Sequence, residues 1–295
     1  MTAPHRAGLV AIVGRPNVGK STLLNHFVGQ KISITSRKPQ TTRHRITGIL
    51  TRPDAQLVFV DTPGFQTQYR SVLTRLMNRT VRQALEEVDV VLCVVEAGKF
   101  DERDEALVKL LPQKVPVVLA LNKTDRIKDK RALFPFTKSV SERHAFAAIV
   151  PVSAERGTQI PELVDEMAHR LPEAPRIYDE DEVTTLPERF LAAELVREKL
   201  FRLLGEELPY AAAVEIERFE TEGNLRRIYV GILVDRPNQK AIIIGKDGEK
   251  LKAIGTQARK DMERMFGGKV FLELWVRVRS GWADDEATLR RMGIE

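Results

Sequence analysis

Short apolar runs recur through the first half of the chain: LVAIV (9–13), LVFV (57–60), VVLCVV (90–95), VPVVLAL (115–121) and AIVPV (148–152). Each is β-branched and nearly continuous, which is how strands buried on both faces of a parallel sheet read. Between them, helical spacing of apolar residues predicts helices over 20–28, 71–86, 101–111, 128–144 and 160–171. This β-α alternation predicts an α/β fold with a mostly parallel, doubly wound sheet. Ligands of such sheets bind outside the carboxyl ends of the strands.

The pattern breaks at LPEAPRIYDEDEVTTLP (171–187), which holds Pro172, Pro175, Pro187 and the acidic run Asp179–Glu182. It predicts a linker over 173–187 between a first domain, 1–172, and a second, 188–295. The second has another texture. A helix is predicted over 187–204, with Phe190, Leu191, Leu195, Leu200 and Leu203 on one face. Strands are predicted over 210–219 and 225–235, a short helix over 238–244, a basic helix over 249–266 and a last strand over 269–279. The smaller domain is therefore α+β, with Gly245-Lys246-Asp247-Gly248 between its two later helices.

The length of 295 residues fits about two domains. No apolar run approaches the roughly 20 residues that span a bilayer, and the first residues lack a secretory pattern, so an intracellular protein is expected. The one cysteine, Cys93, lies within an apolar run and is expected to be a small buried hydrophobe. Charge changes the picture only locally. The net charge is +6, but residues 1–175 carry 26 Lys+Arg against 18 Asp+Glu, and residues 176–295 carry 21 against 23. A nucleic-acid surface in the second domain must therefore be a patch.

Gly14-Arg15-Pro16-Asn17-Val18-Gly19-Lys20-Ser21 matches GxxxxGK[ST] between a predicted strand and a predicted helix, with Thr22 next. That context defines a P-loop. Its backbone N–H groups and the helix start cradle phosphate, Lys20 reaches the β- and γ-phosphates, and Ser21 ligates Mg²⁺. Asn122-Lys123-Thr124-Asp125 follows the next-to-last strand of this half and fits NKxD. Asp125 would accept from guanine N1–H and the exocyclic amine, and adenine, lacking both donors, would leave the carboxylate unpaired. Asn122 would tether loops and the stem of Lys123 would lie on the base. Ser153-Ala154-Glu155 would approach guanine O6 through its backbone. Asp61-Thr62-Pro63-Gly64 ends a strand, with Asp61 expected to hold Mg²⁺ through water and the Gly64 N–H to sense γ-phosphate. The basic segment Lys31–Arg45 lies where a first switch loop should be. Thr41 or Thr42 would supply a second hydroxyl to Mg²⁺, and Thr42 is preferred. GTP or GDP with Mg²⁺ is the ligand set these residues describe.

GRPNVGKSTLLN, SRKPQTTRHRITGI, FVDTPG and LNKTD, in this order and spacing, resemble the TrmE–Era branch of translation-associated GTPases. PYAAAVEIERFE, the GKDG turn, IGTQARKDMERMF and LELWVRVRSGWADDE narrow the resemblance to the Era family, whose C-terminal domain is a KH domain of type II. The resemblance covers nearly the whole chain. It implies a GTPase that binds the 3′ end of small-subunit ribosomal RNA and assists maturation of the small ribosomal subunit. It also implies a cytoplasmic location with peripheral association with the inner face of the cell membrane. A monomer is expected. Phe65 stands where other GTPases carry a water-orienting glutamine, so intrinsic turnover is expected to be slow or to use another route. The resemblance suggests that Asn17 helps bind K⁺ beside the β/γ-phosphates, with Lys20, Thr42 and Gly64 as the other groups acting on the reacting phosphate.

A KH turn clamps a strand of about four nucleotides. Residues 236–269 carry nine basic residues against Asp247, Glu249, Asp261 and Glu263, a local patch suited to tracking phosphates. Gly245, Lys246, Asp247, Gly248, Lys250 and Lys252 are the RNA-binding candidates. Ile242, Ile243, Ile244 and Ile254 are either core or a floor for bases. Trp275 and Trp282 stack on bases or pack within the domain. Two competing readings remain: an RNA chaperone in which nucleotide is structural, and a GTPase of the large subunit. The complete nucleotide motifs speak against the first and the GKDG end against the second.

Overall fold

The computed structural model of the chain describes residues 4–36, 38, 40–67, 71–205, 208–282, 285 and 289. They form two units. One comprises residues up to Ser33 together with Thr42–Thr185; the other comprises Ile34–Thr41 together with residues from Leu186 onward.

The first unit contains β1 (Arg6–Val13), α1 (Lys20–Val28), β2 (Ile46–Thr51), β3 (Ala55–Asp61), α2 (Val72–Glu86), β4 (Val90–Glu96), α3 (Glu102–Val108), β5 (Val117–Asn122), α4 (Leu133–Ser141), β6 (Ala148–Pro151) and α5 (Ile160–Ala168). The sheet order is β2-β3-β1-β4-β5-β6, and every neighbouring pair is parallel except β2 with β3. The continuous apolar runs become β3, β4 and β5, whose residues are buried almost without exception, as a sheet covered on both faces requires. β1 is central, with β3 on one side and β4 on the other, so the loop after it opens at the switch point of the strand order.

Two expectations shift. The helix expected over 128–144 is α4 alone, preceded by a 3₁₀ turn at Lys130–Ala132 that Asp129 starts by accepting from the Arg131 N–H at 3.0 Å. The expected linker is not a free tether, since residues up to Thr185 group with the first unit. β2 is an edge strand, and the Ile49 N–H donates to the Val183 carbonyl at 2.9 Å while the Thr184 hydroxyl donates to the Thr47 carbonyl at 2.6 Å. Buried Gln56 accepts from the Ile177 and Tyr178 N–H groups and donates to the Tyr178 carbonyl. The acidic segment is thus a strap that covers a sheet edge.

The second unit contains α6 (Glu188–Leu203), β7 (Ala212–Glu222), β8 (Leu225–Val234), α7 (Pro237–Ile244), α8 (Glu249–Phe266) and β9 (Lys269–Val278). β7 and β8 are antiparallel; β8 and β9 are parallel. The alternation of β8 and β9 puts Ile228, Val230, Val270 and Val276 in a core with Leu195, Ile254 and Met262. α6 departs from the one-faced helix expected. Leu203 is exposed, while Glu194, Arg197, Glu198 and Lys199 are buried in ion pairs, Arg197 with Glu194 at 2.6 Å and Lys199 with Glu198 at 2.8 Å. Helical periodicity alone misassigns such a helix, because paired charges are buried where it expects solvent.

Candidate functional site

The P-loop joins β1 to α1. Lys20 is buried and folds back, its Nζ donating to the Gly14 carbonyl at 3.0 Å and the Arg15 carbonyl at 3.1 Å. Burial pushes the ammonium down to about 8, with the Asp61 charge opposing the shift. It is a desolvated cation whose charged form phosphate oxygens would favour. Gly19 has φ 103°, and a Cβ there would lie 2.2 Å from Asn122 Nδ2, so glycine is required by backbone and neighbour alike. Pro16 packs so closely on Gly64 that a Cβ at Gly64 would be 2.6 Å from the Pro16 nitrogen. Asn17 is exposed with φ 64°, Val18 is buried, and Thr22 is half-buried on α1. The Arg15 guanidinium is turned to the start of α3, pairing with Asp101 at 2.7 Å and Asp104 at 3.2 Å. Nothing in the loop pattern signals that anchor. The Asp101/Asp104 pair that receives it is also the capping box of α3.

Below the loop, three oxygens expected on a metal converge. Ser21 Oγ lies 2.8 Å from Thr42 Oγ1 and donates to Asp61 Oδ2 at 2.7 Å. Thr41, the alternative, has its hydroxyl bound to the Lys38 carbonyl at 2.7 Å and to Ser36 Oγ at 3.1 Å. Asp61 is fully buried, which pushes its carboxyl up, while Lys20 and its hydroxyl donors pull it down. Its Oδ1 has no hydrogen-bond partner among the described residues. An orphaned buried carboxylate oxygen beside two hydroxyls is an all-oxygen donor set suited to a hard cation. Thr62 does not face this cluster, since its hydroxyl donates to the Ile12 carbonyl at 2.8 Å; Pro63 is buried beside it. Phe65 packs in the hydrophobic core, with its N–H on the Gly14 carbonyl at 3.2 Å.

The base-side residues form a second linked set. Asn122 Nδ2 donates to the Val18 carbonyl at 2.7 Å, and its Oδ1 accepts from the Ala154 N–H at 2.9 Å and the Lys123 N–H at 2.8 Å. Ser153 Oγ donates to Asp125 Oδ1 at 2.5 Å, aiming the carboxylate. Lys123, with φ 68°, places its ammonium 2.6 Å from Glu96 Oε2 at the end of β4. The last contact gives the lysine stem a fixed course, and Glu96 was not legible as part of the site.

In the second unit, α7 ends at Gly245, and a 3₁₀ turn of Lys246–Gly248 leads into α8. Gly245, Asp247 and Gly248 all have positive φ, 73°, 51° and 78°. Lys246, Lys250 and Lys252 are exposed and make no ion pair among the described residues, whereas Arg259 pairs with Glu263 and Arg264 with Asp261. Three exposed cations without an ion pair among the described residues thus flank the turn. Ile243 and Ile254 are core residues, while Ile242 is 46% exposed beside the turn. Trp282 is buried and donates to the Ala211 carbonyl at 3.2 Å, so it packs within the domain. Trp275 donates to Glu217 at 2.9 Å and lies under Arg277.

Residues 9–123 match the family model described as 50S ribosome-binding GTPase, and residues 207–283 match the KH domain model. GTPase Era of Nitrosomonas eutropha is 58% identical over 99% of this chain and 98% of its own length. GTPase Era of Chromobacterium violaceum is 56% identical over 99% of each. Among solved structures, Era in complex with MgGDPNP and nucleotides 1506–1542 of 16S ribosomal RNA superposes with a TM-score of 0.95 at 41% identity, covering 98% of this chain and 99% of that one. A single-substitution variant of Aquifex aeolicus Era bound to GDP·AlF4⁻ gives a TM-score of 0.94 at 41% identity over the same shares. A P-loop GTPase unit followed by a KH unit, matched over the full length by such relatives, shows that the chain belongs to the GTPase Era family and that its reaction is hydrolysis of GTP.

Proposed function

We propose that this chain is a GTP-driven switch that binds the 3′ end of small-subunit ribosomal RNA and assists assembly and maturation of the small ribosomal subunit. The observation that carries it is the pairing of a linked nucleotide site with an unpaired basic turn in a KH unit. In this reading the β- and γ-phosphates of GTP lie on the P-loop N–H groups and Lys20. Asp125 and Lys123 hold guanine, with Ser153 and Ala154 behind them. Ser21, Thr42 and Asp61 would hold Mg²⁺, which when bound neutralises charge on the β- and γ-oxygens. Thr42 and the Gly64 N–H distinguish GTP from GDP, because a ligand shifts a switch only by binding its two states unequally.

Phe65 faces the core and offers no side-chain amide to the attacking water, so charge stabilisation carries the hydrolysis. Lys20 supplies part of it. K⁺ beside Asn17 supplies the rest. The RNA backbone lies against Gly245–Gly248 and the ammonium groups of Lys246, Lys250 and Lys252. Among the described residues no helix is long and apolar enough to cross a membrane, and membrane association enters this reading only as peripheral contact at the cytoplasmic face. The protein acts as a monomer in the cytoplasm.

The test is GTP turnover with and without an RNA carrying the small-subunit 3′ end, in K⁺ and in Na⁺. Slow turnover that the RNA accelerates, faster in K⁺, is the expected result. Turnover indifferent to RNA would detach the KH unit from the switch, and equal rates in K⁺ and Na⁺ would remove the role of Asn17.

A further inference from the structure

The P-loop helix stretch GRPNVGKSTLLN closes on Asn25, a residue to which neither phosphate, base nor metal gives a role. Asn25 stands four residues after Ser21, on the same face of α1. Both ends of its amide are engaged by one short segment. Oδ1 accepts from the Ile32 and Ser33 N–H groups, each at 2.9 Å, and Nδ2 donates to the Ser33 carbonyl at 2.8 Å. Both backbone groups of Ser33 are therefore pinned to the helix that carries Ser21.

Ser33 is buried, as are its chain neighbours. Ile32, Ser33 and Ile34 are 3%, 2% and 3% exposed. A hydroxyl in such a place is costly unless it is bonded, and alanine would suit the packing as well. The hydroxyl has a partner: Ser33 Oγ donates to Asp61 Oδ2 at 3.2 Å. That oxygen also accepts from Ser21, whereas Oδ1 has no partner. Two hydroxyls on one oxygen fix the carboxylate plane and leave the other oxygen for the metal's shell.

We propose that Ser33 is a positioning residue for the Mg²⁺ site, orienting Asp61, and that Asn25 holds Ser33 in place to do so. The inference rests on the assignment of Ser21, Thr42 and Asp61 to Mg²⁺. Partners that orient a metal's carboxylate typically change metal affinity about 10–100-fold when removed.

The experiment is GDP dissociation from the full-length protein, followed with a fluorescent GDP analogue as Mg²⁺ is titrated, and repeated in EDTA. Ser33→Ala should raise the Mg²⁺ concentration for half-maximal retention about 10-fold or more, with GDP affinity in EDTA unchanged. Asn25→Ala should shift the midpoint in the same direction. An unchanged midpoint for Ser33→Ala overturns the proposal. So does an equal loss of GDP affinity in EDTA, which marks a general packing role. If the unsubstituted protein retains GDP equally with and without Mg²⁺, the Mg²⁺ assignment itself fails, and the proposal falls with it.

Discussion

Asn122 reaches from the end of β5 to the P-loop, its Nδ2 2.7 Å from the carbonyl of Val18. The same side chain accepts from the Ala154 N–H, so one buried amide ties the phosphate loop to both base-side loops. Asn122→Ala strands the Val18 carbonyl and the Ala154 and Lys123 N–H groups. Each unmatched buried group costs about 1–3 kcal/mol, so GTP and GDP affinity should fall by about 100-fold or more. Asn122→Asp keeps the acceptor for Ala154 and Lys123 but sets a buried carboxylate oxygen against the Val18 carbonyl, so nucleotide binding measured by calorimetry should still fall. An equal loss in both variants would show that the tie to the P-loop is the dominant one.

Asp125 is aimed by Ser153, whose hydroxyl is 2.5 Å from Oδ1. Asp125→Asn replaces an acceptor facing two guanine donors with an amide that presents N–H. GTP should lose at least about 1,000-fold in kcat/KM, because sites built to pair a polar edge reject a mismatched one strongly. Xanthosine triphosphate, with a carbonyl in place of the exocyclic amine, should be turned over better by the variant than by the unsubstituted protein. Ser153→Ala should keep the base preference and weaken it by roughly 1 kcal/mol. Competition assays between the two nucleotides measure all of this. A variant equally poor with both purine triphosphates would place the damage in folding rather than recognition.

Cys93 is buried in β4 and its thiol is pushed up to about 12 by burial, with the Asp104 charge adding to the shift. The native protein should therefore resist a thiol reagent at pH 8 and react with it stoichiometrically in denaturant. The sign of the pH linkage follows. A thiol whose folded pKa is raised contributes stability that is complete below its unfolded value near 9 and is lost as pH rises towards 12. Cys93→Ala should flatten that part of an alkaline denaturation curve. Fast labelling of the native protein at pH 8 would contradict the burial on which the argument depends.

The strands and most helices were legible because their apolar periodicity and their burial agree: α1 and α8 span 20–28 and 249–266 as the spacing predicts. The nucleotide residues were legible because phosphate and guanine recognition demand fixed residue types at fixed places in a β-α order. What escaped has a common physical character. The strap over β2 is joined through backbone and polar groups, which leave no hydrophobic period. The buried charges of α6 look solvated until their partners are known. Arg15 with Asp104, Lys123 with Glu96 and Ser33 with Asp61 lie 89, 27 and 28 positions apart in sequence, by subtraction of their numbers, and no local pattern links them. Trp282 follows the last strand as a loop residue, yet the fold brings it to Ala211.

The last prediction concerns the basic turn. Lys250 and Lys252 open α8, and with Lys246 they are exposed and unpaired among the described residues. A cation already bound to a carboxylate releases little on meeting phosphate, so these three should outweigh Arg259 and Arg264, which hold Glu263 and Asp261. Each lysine that neutralises a phosphate of a single strand should contribute about −0.7 to the slope of log affinity against log salt concentration. Lys250→Ala with Lys252→Ala should therefore flatten the slope by about 1.4 and weaken RNA binding at low salt. Arg259→Ala should change the slope little. GTP turnover without RNA should stay as it was, because neither lysine belongs to the nucleotide site. Filter binding across a salt series separates the outcomes. A slope untouched by the double substitution, or one moved equally by Arg259→Ala, would take the RNA backbone away from this turn and assign it to another face of the KH unit.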